Sequence, residues 1–229
     1  MKIFVTLIGS SGKVGKNILE LVKNSNDIEM LSVNSKNIDN LDDFIKKSDA
    51  AIDFSTPSIL KKILDTCIKY KKALILGTTG YTNDDLDLIK EASKDIPIFQ
   101  SYNFSIGAYI LKNIASYVSK NFKLSDIDIL EKHHKLKKDS PSGTALSLKN
   151  EIEKNYNNPI NIHSIRAGNI IGEHLVSFTD EDEKIEISHT AYTKKIFAQG
   201  SLKALRFVYN KKPSLYTMKD LCGDNYEKN

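Results

Sequence analysis

The run Glu131-Lys132-His133-His134-Lys135-Leu136-Lys137-Lys138-Asp139-Ser140-Pro141-Ser142-Gly143-Thr144 concentrates the groups best suited to proton transfer and anion binding. Six of the seven residues 132–138 are lysine or histidine, so the segment draws anions. A histidine there can give or take a proton near neutral pH. Pro-Ser-Gly-Thr predicts a helix start, and the first N–H groups of a helix, here those of Gly143 and Thr144, lack internal partners and suit a carboxylate. His133, His134, Lys137, Gly143 and Thr144 therefore outline a site for a small, multiply negative substrate. Lys135 and Lys138 read as a solvated basic loop. The spacing offers no further metal ligands, so a metal is not expected.

A second group of residues could hold a nucleotide. Gly9-Ser10-Ser11-Gly12-Lys13-Val14-Gly15 follows an apolar run and precedes a helical pattern. Glycines there permit a tight turn and let a pyrophosphate approach the helix N-terminus. The spacing is G-x-x-G-x-x-G rather than the usual G-x-G-x-x-G. The acid expected about 20 residues on, which holds ribose hydroxyls, is missing; Val33-Asn34-Ser35-Lys36 stands there instead, and Ser35 and Lys36 suit a 2′-phosphate. Gly77-Thr78-Thr79-Gly80 and Ser101-Tyr102-Asn103-Phe104 each follow a strand pattern, on the sheet edge where such folds bind ligands.

These residues need a scaffold, and the pattern supplies one. Ile3–Ile8, Ile28–Val33, 50–54, Ala73–Leu76 and 96–100 read as strands, the first as one buried on both faces. Helical spacing falls at 13–23, 41–47, behind Thr56-Pro57 and at 84–93; Thr56 is the expected N-cap and Pro57 the first helical residue. Cys67 lies on the apolar stripe of the third helix and reads as packing. Alternation of this kind predicts a doubly wound parallel sheet. Past residue 104 it changes: a helix at 107–119, a strand at 126–132, a helix at 141–154, then strands at 160–167, 174–179 and 184–192. Strands without intervening helices predict an antiparallel or mixed sheet. A last helix is expected at 201–209. The fold class is thus α/β: a Rossmann-type domain at 1–104 completed by a tail from 197 to 229, plus a smaller α+β domain with a mixed sheet at 105–196.

Composition excludes other classes. The chain has 229 residues, 40% of them hydrophobic and 27% charged, so a folded core is expected rather than disorder. No apolar run approaches the roughly 20 residues of a membrane span, and the N-terminus lacks a signal h-region. Cys67 and Cys222 form no metal or redox pair, which suits a reduced cytoplasmic protein. The net charge is +4, but of 33 basic residues only Arg166 and Arg206 are arginine. The remaining 31 lysines are spread, a poor footprint for nucleic acid.

The motifs, in order, resemble those of the dihydrodipicolinate (4-hydroxy-tetrahydrodipicolinate) reductase family. The likeness runs almost end to end: Gly9–Gly15, Asp53-Phe54-Ser55-Thr56-Pro57, Gly77–Gly80, Asn103–Gly107, Glu131–Thr144, Arg166-Ala167-Gly168, Gly172-Glu173-His174, Glu186–His189 and Phe197–Gly200. The His-His-x-x-Lys run followed by Pro-Ser-Gly-Thr is highly specific to that family. The resemblance implies that Gly9, Ser10, Ser11, Gly12, Lys13 and Val14, with Gly77, Thr78, Thr79, Ser101, Tyr102, Asn103 and Phe104, line NADPH or NADH. It implies that His133 is the proton donor and acceptor. Lys137 would be a second donor that also holds substrate, and His134, Gly143 and Thr144 would hold substrate carboxylates. It further implies a homotetramer built on the second domain's sheet, and domain closure that brings the cofactor to His133. Ser101-Tyr102 and Thr193-Lys194 depart from residues common in the family. Two other readings stay open: another NAD(P)-dependent reductase of a small anionic substrate, and a phosphate- or RNA-binding module built on residues 132–138.

Overall fold

The computed structural model describes residues 2–23, 25–123 and 125–223. Five short strands and four helices alternate at the start: β1 (Ile3–Ile8), α1 (Lys13–Val22), β2 (Ile28–Val33), α2 (Leu41–Lys46), β3 (Ala50–Asp53), α3 (Leu60–Tyr70), β4 (Ala73–Leu76), α4 (Asn83–Ala92) and β5 (Pro97–Gln100). Every residue of β3 and β4 is buried, which is why these strands, apart from Asp53 at the end of β3, are apolar rather than alternating. The next segment, α5 (Ile106–Asn121), β6 (Asp126–His133), α6 (Gly143–Ile152), β7 (Ile160–Arg166), β8 (Gly172–Thr179) and β9 (Lys184–Ala191), builds a separate sheet. The chain then forms α7 (Lys195–Val208), β10 (Ser214–Tyr216) and α8 (Met218–Cys222).

Two compact units result. One comprises the residues up to Phe104 and those from Lys195 onward; the other is Ser105–Lys194. The first holds a six-stranded, all-parallel sheet in the order β10-β5-β4-β3-β1-β2. The order reverses beside β1, so the loops after β1 and β3 flank the switch point where such sheets take ligands. Ile8, Leu41, Ile63, Leu74 and Ile98 are among the buried side chains of its core; each such aliphatic group removed from water contributes roughly 1.5–3 kcal/mol.

The second sheet is mixed, β7-β6-β8-β9, with β6 and β7 parallel and the other pairs antiparallel. Alternation is clean on β6 and β8, whose buried residues, such as Ile129 and Val176, pack with Leu111 of α5 and Leu148 of α6. Helices thus cover one face of this sheet.

Several details differ from the sequence expectation. Thr56 does not cap a helix through its side chain; its hydroxyl meets Ser58 Oγ at 2.9 Å, Pro57–Ile59 is a 3-10 turn, and α3 starts at Leu60. The final helix begins six residues early, at Lys195. Gly200 hides this start from a pattern reading, because glycine is a poor helix former. Its role is packing: a Cβ at 200 would lie 1.9 Å from the Phe104 carbonyl oxygen, so only glycine lets α7 pass there. Strand β10 and helix α8 were unexpected; α8 carries a Thr217–Asp220 capping box.

Candidate active site

In the first unit, the turn from β1 to α1 is built so that a ligand can reach the backbone. Gly9 has φ +82°, and a Cβ there would sit 2.3 Å from the Phe54 carbonyl oxygen; a Cβ on Gly15 would sit 2.4 Å from the Gly9 oxygen. Both glycines are therefore steric requirements. Gly9 and Ser10 donate their N–H groups to Val33 O, and Ser10 Oγ does the same at 3.0 Å. Those donors hold the turn to β2. Gly12 is the N-cap of α1 and brings no side-chain cap, so the first turn at Lys13 and Val14 offers its N–H groups outward. Ser11 and Lys13 are exposed beside it.

The loop after β3, whose site role the sequence reading left unassigned, organises its neighbours. Asp53 is fully buried. Its carboxylate accepts hydrogen bonds from Ser55 N–H (3.1 Å), the Ser55 hydroxyl and Thr78 Oγ1 (2.6 Å). Burial pushes its pKa up, and those donors oppose the rise. Thr78 Oγ1 also accepts from Ser55 N at 2.9 Å, while Gly77 N–H donates to Asp53 O at 2.9 Å. A Cβ on Gly77 would meet the Phe54 ring at 2.2 Å. Thr79 beyond it is exposed. After β5, Ser101 N–H donates to Leu76 O (3.1 Å), and Ser101 Oγ bridges to Asn103 O and N. Tyr102 is exposed; Phe104 is buried, its ring near those of Phe54 and Phe99. Parallel register thus gathers the loops after β1, β3, β4 and β5 on one edge of the sheet. Lys36 is exposed on the loop after β2, where Asn34 and Asn37 bond each other and carry no charge.

In the second unit, His133 ends β6 and is buried. Its Nδ1 is hydrogen-bonded to Glu131 Oε2. Glu131, two residues earlier on the same face, is fully buried; its other oxygen accepts from Arg166 Nη2 (2.6 Å) and from Ser142 N–H (3.3 Å). Burial pushes the Glu131 carboxyl up, but hydrogen bonds from Arg166, Ser164 and His133 outweigh this and hold it at about 2. Burial lowers the His133 pKa, and the neighbouring Lys137 and Arg166 charges add to this against the pull of Glu131. The ring is therefore neutral at pH 7 with its hydrogen on Nδ1, assigned from the Glu131 bond. Nε2 keeps its lone pair. Gly172 lies before that atom: a Cβ at 172 would be 3.1 Å from His133 Nε2.

Lys137 is turned back by its N–H bond to His134 O (3.0 Å), and Nζ meets both oxygens of Asp139 at 2.8 Å. That contact lowers the Asp139 pKa. His134 is half-buried, whereas Lys135 and Lys138 are exposed. Helix α6 begins at Gly143 rather than 141, with Ser142 as its N-cap, accepting from Ala145 N–H at 3.2 Å. No atom lies within 4 Å of a Cβ placed on Gly143, so space is left beside the helix start, and the Gly143 N–H is among the donors that lower the Asp139 pKa.

Sequence reasoning missed Glu131, Arg166 and His174 as site members. The His174 ring packs edge-on against His133, 5.2 Å between centroids. Glu131, His133 and His174 bring three possible metal-ligand atoms within 4.8 Å, an arrangement made by the β6–β8 pairing and invisible to spacing. Glu131 already faces the Arg166 guanidinium and the His133 N–H, so its charge is met without a cation. Period-2 alternation was the available signal for Glu131, since a carboxylate on a buried strand position needs a reason.

The chain is similar to known proteins along almost its whole length. A family model described as the N-terminus of dihydrodipicolinate reductase matches residues 1–104, and one described as its C-terminus matches residues 107–222. The chain is 39% identical to the 4-hydroxy-tetrahydrodipicolinate reductase of Rickettsia bellii, covering 96% of this chain and 94% of that one. It is 41% identical to the enzyme of that name from Thermosipho africanus, covering 96% and 98%. Among solved structures, the dipicolinate-bound dihydrodipicolinate reductase of Paenisporosarcina sp. superposes with a TM-score of 0.82 at 23% identity, covering 96% of this chain and 99% of that chain.

Proposed function

The chain belongs to the dihydrodipicolinate reductase family, and we propose that it reduces 4-hydroxy-tetrahydrodipicolinate to tetrahydrodipicolinate with NAD(P)H, using His133 as its proton-transfer group. This is the reduction step of lysine and diaminopimelate biosynthesis. The observation that carries the site assignment is the Glu131–His133 pair at the end of β6, whose Glu131 also accepts the N–H of Ser142, the cap of α6.

A nicotinamide dinucleotide, when bound, supplies the hydride. The first unit fits such a group: Gly9 and Gly15 leave room that a Cβ would fill, and the first turn of α1 offers N–H groups to a pyrophosphate. Gly9, Ser10, Ser11, Gly12, Lys13, Val14, Gly77, Thr78, Thr79, Ser101, Tyr102, Asn103 and Phe104 would hold it, with Lys36 beside a 2′-phosphate.

His133 exchanges its proton at Nε2, because Nδ1 is committed to Glu131. Burial keeps the ring neutral in the free protein, and a dianionic substrate beside it favours the imidazolium. His134, Lys137 and the N–H groups of Gly143 and Thr144 hold the two carboxylates. Lys137 exchanges Asp139 for a substrate oxygen and acts as the second proton donor. In the balance, one hydride and one proton enter the ring and one water leaves.

The test is an assay of NADPH oxidation with freshly generated dihydrodipicolinate synthase product. Turnover with it supports the reading. Oxidation only with a different acid selects another reductase, and tight, salt-sensitive RNA binding without turnover selects the binding module. A strong preference for NADH over NADPH in the same assay overturns the role given to Lys36.

The first unit is the dinucleotide-binding domain and the second the substrate and tetramerisation domain in this proposal. The protein is a cytoplasmic homotetramer with no nucleic-acid or membrane partner. No helix of the described residues is long and apolar enough to cross a membrane.

A further inference from the structure

The covered face of the second sheet carries a row of polar groups, two of which the proposed chemistry leaves unused. Register sets Glu131 of β6 opposite His174 of β8, and His174 opposite His189 of β9. Cross-strand partners share a face, so the three form one row. Both imidazoles in the row reach the N-cap of a helix packed on this sheet. His174 Nε2 lies 3.2 Å from Ser142 Oγ, the cap of α6, and His189 Nε2 lies 3.3 Å from Ser105 Oγ, the cap of α5.

The hydrogens at Ser142 can be assigned. Its Oγ accepts the Ala145 N–H, and Ser142 is 1% exposed, so its own hydrogen needs a buried acceptor. His174 Nε2 is that acceptor. The imidazole hydrogen then sits on Nδ1, which is buried and has no hydrogen-bond partner. Burial, with His133 as the next cause, lowers the His174 pKa to about 4, so the ring carries no charge at neutral pH. A buried N–H without a partner is destabilising. A leucine of similar volume would avoid that cost but could not take the serine hydrogen. The exposed caps of α4 and α8, Thr82 and Thr217, use aspartates in capping boxes instead.

We propose that His174 is a positioning residue for dicarboxylate recognition: through Ser142 it fixes the first turn of α6, so that the Gly143 and Thr144 N–H groups meet a substrate carboxylate in one orientation. The proposal rests on the reading of those N–H groups as a carboxylate seat. His174 itself touches no reacting atom. It acts on how well the second carboxylate is held, and the proton chemistry stays with His133.

The experiment compares His174→Phe, His174→Gln and wild type. Its readouts are steady-state kinetics, inhibition by pyridine-2,6-dicarboxylate and pyridine-2-carboxylate, NADPH affinity and thermal melting. His174→Phe is expected to raise KM and the dicarboxylate Ki by about tenfold, with kcat within about threefold and NADPH affinity unchanged. The monocarboxylate should lose much less, because it has no second carboxylate to misplace. His174→Gln offers an amide oxygen to the Ser142 hydroxyl and is expected to restore Ki to within about threefold. Should His174→Phe not fold, Ser142→Gly removes the hydroxyl while leaving glycine, an accepted N-cap residue, at the helix start; it is expected to show the same loss. A folded His174→Phe or Ser142→Gly with wild-type dicarboxylate Ki overturns the proposal, as does a loss confined to kcat. Absence of turnover in wild type overturns the proposed function instead, so the two failures are distinct.

Discussion

At the scale of single residues, the site is a set of commitments between neighbours. Glu131 takes the Nδ1 hydrogen of His133, and its other oxygen accepts from Arg166 and from Ser142 N–H. His133→Gln removes the proton donor, and Lys137→Ala removes the ammonium that Asp139 holds in place. Each is expected to lower kcat by about 10²–10⁴ while NADPH affinity stays near wild type, as fluorescence titration can measure; unchanged turnover in both would overturn the site. Glu131→Gln tests the coupling. The carboxylate stabilises the imidazolium, so its removal lowers the His133 pKa further below 6.5. If the free enzyme must carry a protonated His133, kcat/KM falls as pH rises through that pKa. The limb should therefore move to lower pH in Glu131→Gln, and a limb that moves upward contradicts the arrangement. Gly172 gives a third check. Its φ lies outside the left-handed region, so alanine costs little in backbone strain, yet its Cβ would crowd Nε2. Gly172→Ala should lose at least tenfold in kcat/KM with melting unchanged. His133, His134 and Lys137 were legible because residue type alone marks them. Arg166 was noticed as a rare arginine inside a family motif, with no partner assigned to it. Its fork spans Glu131 Oε1, Asp139 O and Ile165 O, at 2.6, 2.7 and 3.0 Å, which a single ammonium cannot reproduce.

At the scale of elements, strands buried on both faces announced themselves as apolar runs, and helices with one apolar stripe by their 3.6 period. What escaped was set by contacts between distant segments. The start of α7 was hidden by Gly200, whose reason lies at Phe104, about a hundred residues away. Strand β10 has three residues and is partly exposed, too short for periodicity to register. Likewise the row Glu131–His174–His189 exists only through register. The Gly200 contact makes a stability prediction. Alanine there forces α7 away from Phe104 and is expected to cost about 1–3 kcal/mol or more. For a chain of this size that lowers Tm by roughly 2–4 °C per kcal/mol, readable by calorimetry. An unchanged Tm would mean that the helix shifts freely.

At the scale of the whole molecule, the +4 charge says little, and the placement of a few cations says more. Both arginines make forked contacts: Arg166 as above, and Arg206 with the two oxygens of Asp27 at 2.7 and 3.2 Å. Surface lysines instead make single exposed pairs such as Lys2–Glu29, worth little to stability. The uncovered face of the second sheet is where molecule-scale organisation should appear. Leu130, Leu175 and Ile165 lie on it among the Lys132–Glu173 and His163–Asp128 pairs, while the helices of that unit pack on the opposite face. Ile165 is 41% exposed. Aliphatic side chains set among paired charges on a sheet face that no helix covers suit a protein–protein contact, and a sheet face can bury the roughly 1,600 Å² that a stable contact needs. Sedimentation equilibrium is expected to give four times the 25.7 kDa chain mass at micromolar concentration. Leu175→Asp puts a charge in the middle of that face. It should dissociate the tetramer while leaving the fold of the first unit, and hence NADPH affinity, intact. A wild-type protein that sediments at 25.7 kDa refutes the assembly, and a Leu175→Asp variant that remains tetrameric places the interface elsewhere.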